Sequence, residues 1–323
     1  MTPLIEARHL TKHFAVKRGL FSKSIGHVSA VDDVSFVIEP GHTLGVVGES
    51  GCGKTTTAKL VLLLEEPTGG EMLFEGRDLQ GLDADGVRAY RRSVQAVFQD
   101  PFASLNPRMR VATIIAEPLV TNQRLTAAEL QERIGHLLDV VGLPQRSASL
   151  FPHEFSGGQR QRIAIARALS LSPKLLVLGE PVSALDVSIR AQILNLLRDL
   201  QAKLGLSYLF IAHDLAAVGH MSTTIAVMYL GKLVELGEAN VIAKDPKHPY
   251  TRALFSAALP IHPDDRREEI VLAGEVPSPL DPPAGCRFHP RCPVAMPICA
   301  SEVPVLQMVE GREVACHLYP SPA

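Results

Sequence analysis

Apolar and polar positions follow two different rhythms along this chain. Near the start, segments such as Ile5-Glu6-Ala7-Arg8 and Val34-Ser35-Phe36-Val37-Ile38 alternate in short steps, and the stretch from Leu4 to Val37 is predicted to form an antiparallel β layer. From Gly41 to Gln99, and again from Lys174 to Val234, apolar runs alternate with segments of helical spacing. Unbroken apolar runs suit strands buried on both faces, so a mostly parallel sheet covered by helices is expected. Between these stretches, 101–169 reads as a helical insertion. Past about Leu259 proline becomes frequent and the helical pattern fades. The predicted fold class is therefore α/β, with one large domain over 1–258 and a small Pro/Cys-rich C-terminal region over 259–323.

Composition narrows the setting. Among 323 residues no run of about 18 apolar positions occurs, so no membrane span is expected. Early charges at Glu6 and Arg8, without an apolar stretch around them, argue against a signal peptide. A formal net charge of -2 supplies no basic footprint for nucleic acid. If the protein works at a membrane, it docks on something that spans it.

The first candidate for chemistry is Gly48-Glu49-Ser50-Gly51-Cys52-Gly53-Lys54-Thr55, which fits the G-x-x-x-x-G-K-[ST] phosphate loop. Its context fits too: His42 to Val47 reads as a buried strand, and Thr56 to Leu62 reads as the start of a helix. Glycines at Gly48, Gly51 and Gly53 let backbone N–H groups turn inward toward phosphate, and the helix N-terminus adds partial positive charge. Lys54 can reach the outer phosphates, Thr55 can offer its hydroxyl to Mg2+, and Ser50 within the loop and Thr56 just after it are further candidates to bind the nucleotide. By itself this motif leaves kinases, GTPases and many ATPases open.

A second motif closes that gap. Phe155-Ser156-Gly157-Gly158-Gln159 resembles the LSGGQ-type signature of ATP-binding cassette (ABC) proteins, and the Arg- and Ala-rich stretch after it should put the Ser-Gly-Gly turn at a helix N-terminus. The resemblance implies an ABC-type P-loop NTPase with a RecA-like core, an antiparallel β layer and a helical subdomain over about 101–169. It also implies a head-to-tail dimer in which the loop of one chain and the Ser156–Gln159 turn of the other clamp one ATP. Further matches follow in family order. Phe14 corresponds to the aromatic that stacks on adenine, Gln99 to the residue that senses Mg2+ and the membrane partner, His213 to the γ-phosphate switch, and Ser183 to Asp186 to the loop that couples the two sites.

One position departs from the family pattern. In Leu175-Leu176-Val177-Leu178-Gly179-Glu180-Pro181 the strand should end in Asp-Glu, but Gly179 stands where the aspartate would hold Mg2+ through water. Glu180, the expected general base, is kept. Phosphoryl transfer leans on positioning and on the metal's charge, so this site is expected to bind ATP and hydrolyse it weakly or not at all. Asp186 or a partner residue could stand in. A degenerate site suits a heterodimer with a paralogous ATPase, whose loop would use the intact Ser156–Gln159 turn of this chain.

Three segments narrow the family. Phe98 to Arg108, Lys247-His248-Pro249-Tyr250-Thr251 and Gly274-Glu275-Val276-Pro277-Ser278-Pro279 resemble the ATPase subunits of dipeptide and oligopeptide ABC importers, a likeness that runs over nearly the whole chain. It implies two transmembrane permease subunits and an extracytoplasmic solute-binding protein as partners. It also implies a peripheral place on the cytoplasmic face of the inner membrane. Nickel and other small-solute importers share these features. A soluble ABC ATPase and a non-catalytic regulatory subunit are the rivals from other classes.

The tail holds four of the five cysteines, Cys286, Cys292, Cys299 and Cys316. In a reducing compartment such a cluster reads as a metal site, either a 4Fe-4S cluster, which the resemblance favours, or zinc. His289 and His317 could substitute as ligands. Cys52, inside the phosphate loop, reads as just a small side chain.

Overall fold

The computed structural model describes residues 2–17, 24–98, 104–183, 185–257 and 270–319. The chain folds as two compact units, one of residues 1–81 with 210–323, the other of residues 82–209.

In the first unit, β1 (Ile5–Lys17) and β2 (Ser24–Ile38) run antiparallel, pairing Ile5 with Ile38 and Phe14 with Val28. These are two long strands rather than several short ones. Bulges between Ala7 and Leu10 and between Leu10 and Lys12 break the period-two pattern without ending the strand. His9 and Asp33 take positive φ there, and His9 Nδ1 meets Asp33 Oδ1 at 2.7 Å. β4 (Gly69–Phe74) and β5 (Arg77–Asp78) extend this layer in the order β2-β1-β4-β5. From the mostly parallel sheet expected over Gly41 to Gln99, β4 and β5 depart: the strands just after the phosphate loop return to the antiparallel layer. Its Met72 is buried while Glu71 is exposed, the alternation of a one-faced strand.

The other sheet of this unit starts from β3 (Thr43–Val47), buried along its whole length. It runs parallel to β9 (Thr224–Tyr229), pairing Val47 with Val227. β10 (Lys232–Glu238) follows antiparallel to β9. The hairpin of β11 (Gln307–Val309) and β12 (Arg312–Val314) then pairs onto β10 through Glu235 and Val314. The tail that loses helical pattern thus adds strands to this sheet. Helix α1 (Lys54–Val61) follows β3.

In the second unit, α2 (Ala84–Ser93) starts at Asp83, whose side chain accepts from Gly86 N. β6 (Val94–Val97) and β7 (Leu175–Gly179) are parallel, with Val97 opposite Leu178. β8 (Ser207–Ile211) neighbours β7 and carries the chain back into the first unit. Between β6 and β7 lie α3 (Val111–Asn122), α4 (Ala127–Val140) and α5 (Gly157–Leu169), the expected helical insertion. They pack on one another, and Ile115, Leu119, Leu138 and Ile163 are buried. α6 (Val187–Leu204) ends at Gly205, whose φ of 66° closes the helix.

Candidate functional site

The phosphate loop joins β3 to α1 in the first unit. Gly48, Gly51 and Gly53 have φ of 150°, 77° and 113°. A Cβ at Gly48 would lie 2.2 Å from Met228 O, and one at Gly53 2.3 Å from Ala30 O, so glycine is needed for close approach as well as for conformation. α1 has no side-chain cap at Gly53, which leaves its first-turn amides to serve an anion. Lys54 is buried, and its ammonium donates to Gly48 O at 2.7 Å and Glu49 O at 2.9 Å. Thr55, Ser50 and Gly51 are exposed and Thr56 is half-buried, while Thr57 turns inward to donate to Gly53 O at 3.1 Å. Burial raises the Cys52 thiol, with Lys54 pulling the other way, in keeping with a small neutral side chain. A cradle of this shape, with a buried ammonium inside it, fits a polyphosphate and the Mg2+ that accompanies it.

Sequence reasoning missed what stands behind the loop. Glu49 N donates to Tyr250 Oη at 2.8 Å, across 201 positions of chain. The Glu49 carboxylate takes a two-pronged bond from Arg291, 242 positions away, with Nη1 at 2.7 Å and Nη2 at 3.1 Å. That bond raises the guanidinium above its usual value. Behind it Tyr229 stands edge-on to Tyr250 and to Phe288, and Tyr250 and Phe288 are tilted against each other, with ring centroids 4.7 to 5.5 Å apart. Buried His248 caps α8 (Pro249–Ser256) by accepting from Tyr250 N at 3.1 Å, and burial pushes its imidazole down to about 3. His248 N donates to Glu235, whose carboxyl is raised by burial. The only signal available was the segment Lys247 to Thr251, which family likeness singled out without showing what it touches.

Of the other expected residues in this unit, His213 is exposed between β8 and α7 (Leu215–Met221). Phe14 is half-buried on β1, and Lys12 Nζ lies 5.0 Å from its ring centre. Gln99, in the sequence of the second unit, lies outside the described residues.

In the second unit, Ser156 caps α5. Its hydroxyl accepts from Gln159 N at 3.4 Å, and Gln159 Oε1 accepts from Ser156 N at 3.0 Å, a reciprocal capping box. A Cβ at Gly158 would fall 2.4 Å from Ile189 Cγ2, and one at Gly157 would meet Leu185 at 3.2 Å. The turn therefore packs against the Leu185–Ile189 segment that carries exposed Asp186 at the start of α6. Gly179 ends β7. Glu180 follows with φ of 51°, and its carbonyl accepts from Ser183 N and Oγ at 3.3 and 3.1 Å. A left-handed conformation at a non-glycine residue costs of order 1–3 kcal/mol and concentrates at functional sites.

The cysteine expectation fares differently. Cys286, Cys292, Cys299 and Cys316 are free thiols. Burial raises Cys286 and Cys292 and pushes Cys316 up to about 11, and neighbouring thiols add to each shift. They are neighbours, yet among the described residues no three or more His, Cys, Asp or Glu are grouped to hold a metal ion. Both candidate histidines turn to backbone carbonyls, His289 Nδ1 to Cys286 O and His317 Nε2 to Glu302 O, each at 2.9 Å. The described residues therefore give no support to the 4Fe-4S cluster or the zinc expected at these cysteines.

A glycine cradle ahead of an uncapped helix, and a boxed Ser-Gly-Gly turn at the head of another, are the two phosphate-facing elements of an ATP-binding cassette. The family comparisons agree. Residues 31–183 match the ABC transporter model, and 234–299 match the oligopeptide/dipeptide transporter C-terminal region. The di/tripeptide transport ATP-binding protein DppF of Pseudomonas aeruginosa is 51% identical over 317 residues, covering 98% of each chain. The oligopeptide transport ATP-binding protein AppF of Bacillus subtilis is 50% identical over 98% of this chain and 97% of its own. Among solved structures, a dimeric bacterial ABC transporter cassette aligns with a TM-score of 0.63 at 28% identity, over 73% of this chain and 98% of that one. The chain belongs to the ABC transporter family, in its branch of peptide-transport ATP-binding proteins, and is an ABC-type ATPase.

Proposed function

We infer that this protein is the ATP-binding and hydrolysing subunit that energises import of dipeptides or oligopeptides. The observation that carries this reading is identity of about half the residues, over nearly the whole chain, to ATP-binding proteins named for peptide transport. Bound MgATP supplies the phosphoryl group whose transfer to water releases the driving energy. The chain's residues do the rest. Loop amides and Lys54 would hold phosphate, and the Thr55 hydroxyl would hold the Mg2+. Glu180 takes the proton of the attacking water, with His213 and Gln99 as the γ-phosphate and metal sensors and Phe14 against adenine. Ser156, Gly157, Gly158 and Gln159 complete the site of a partner ATPase, with Asp186 beside them.

No helix among the described residues is long and apolar enough to cross a membrane. The subunit is proposed to sit on the cytoplasmic face of the inner membrane, on two permease subunits fed by a solute-binding protein. Its ATPase partner is proposed to be a paralogue. The reason is Gly179: this chain's own loop would then serve a slow site, while its serine-glycine turn serves a fast one. Residues 259–323 form the C-terminal region of the subunit.

The test is steady-state ATPase of the reconstituted transporter with Glu180→Gln in this chain alone, beside the matching change in the partner. The asymmetric reading expects a small loss here and collapse with the partner change. Equal collapse in both would sink it. Peptide-independent turnover in proteoliposomes would argue against the peptide substrate.

A further inference from the structure

We propose that the C-terminal segment 286–292 is a clamp on the phosphate loop, and that Arg291 is a positioning residue for ATP, acting through Glu49. This rests on the nucleotide-binding reading of the loop and assigns a role to residues outside every nucleotide motif.

The geometry has two fastenings. The first is the Arg291–Glu49 pair, bidentate at 2.7 and 3.1 Å, with the Arg291 side chain only 8% exposed. Paired charge-assisted bonds of this kind fix orientation as well as distance. Tyr229 Oη also accepts from Arg291, at 3.4 Å. The second fastening lies one turn earlier. Arg287 donates to Leu230 O and pairs with Asp32, which Lys232 also meets at 3.4 Å. The turn at Leu230 is itself bonded to the loop, since Gly231 N donates to Cys52 O at 2.9 Å. Segment 286–292 therefore holds the loop at two points, at Glu49 directly and at Cys52 through the β9–β10 turn.

The consequence falls on Lys54. Its ammonium rests on the carbonyls of Gly48 and Glu49, so the placing of Glu49 sets where that charge sits. Tyr250 supports the same residue from its amide. A loop released from the clamp must be ordered again when phosphate binds, and that cost appears as lost affinity.

The experiment uses the full-length chain in the reconstituted transporter and, separately, equilibrium ATP binding to the purified chain. Arg291→Ala is expected to weaken ATP about tenfold, with the change falling in KM for ATP more than in kcat. Arg291→Lys, which keeps charge but loses the fork, should recover part of the loss, and the swap Arg291→Glu with Glu49→Arg should bind more tightly than either single change. If Arg291→Ala proves unstable, Tyr250→Phe removes only the hydroxyl behind Glu49 and should weaken ATP about threefold. Wild type and Lys54→Ala run alongside. Loss of ATP binding in wild type would sink the nucleotide reading itself. Binding in wild type, loss in Lys54→Ala and unchanged affinity in Arg291→Ala and Tyr250→Phe would overturn the clamp alone.

Discussion

Gly179→Asp is the sharpest single test of why this subunit's own site should be slow. Gly179 is the last residue of β7 and its φ lies outside the left-handed region, so an L-residue fits the backbone. The nearest neighbour of a new Cβ is Val97 O at 3.9 Å, an ordinary contact, against 2.2 Å at Gly48. Steric cost is therefore near zero, and replacing a strand glycine contributes about 0.5–1 kcal/mol, which offsets part of the cost of a half-buried carboxylate. Stability should stay within about 1 kcal/mol of wild type, so any change in turnover is chemical. A hydrogen bond to a charged group is worth roughly 1.5–3 kcal/mol, and each 1.36 kcal/mol is about tenfold in rate, which puts the gain at about ten- to a hundredfold. The assay is Mg2+-dependent ATPase of the reconstituted transporter with the partner's catalytic glutamate replaced, so that only this site turns over. A folded, ATP-binding Gly179→Asp protein with unchanged turnover would refute the argument that a missing metal-holding carboxylate limits this site.

Two further outcomes follow from packing and burial. Gly158→Ala drives a Cβ to within 2.4 Å of Ile189 Cγ2, so urea unfolding should show a loss of about 1–3 kcal/mol, partly restored by adding Ile189→Ala; a stabilised Gly158→Ala would contradict the close packing. His248 is buried and neutral, with its pKa lowered from 6.5 to about 3, so between those values unfolding takes up a proton and stability falls as pH drops. The cost is about 2 kcal/mol at pH 5. Glu235, raised by burial, works in the opposite sense: its contribution is present below the unfolded value and lost as pH rises through the folded one. His248→Asn keeps a capping acceptor without the titration, and it should flatten the decline measured from pH 7 to 5; an unaltered slope would remove His248 as the cause.

Much of the site was legible in the chain because its logic is local. Gly48, Gly51 and Gly53 announce a backbone that only glycine adopts easily, and Lys54 follows them at the head of α1. Ser156 and Gln159 stand three apart, the spacing of a capping box, and the apolar run Leu175–Leu178 forms a buried strand ending beside Glu180. Contiguous residues encode these features through dihedral preference and hydrogen bonds that span a single turn. Tertiary structure decided the rest. It sent β4 and β5 back to the antiparallel layer, made the tail into a hairpin on β10, and left four neighbouring cysteines without a metal-holding group among the described residues. It also set Arg291 and Tyr250 behind Glu49. Periodicity reports that a residue is buried, not what it is buried against, and contacts across 201 and 242 positions depend on strand order and loop path that no local pattern carries.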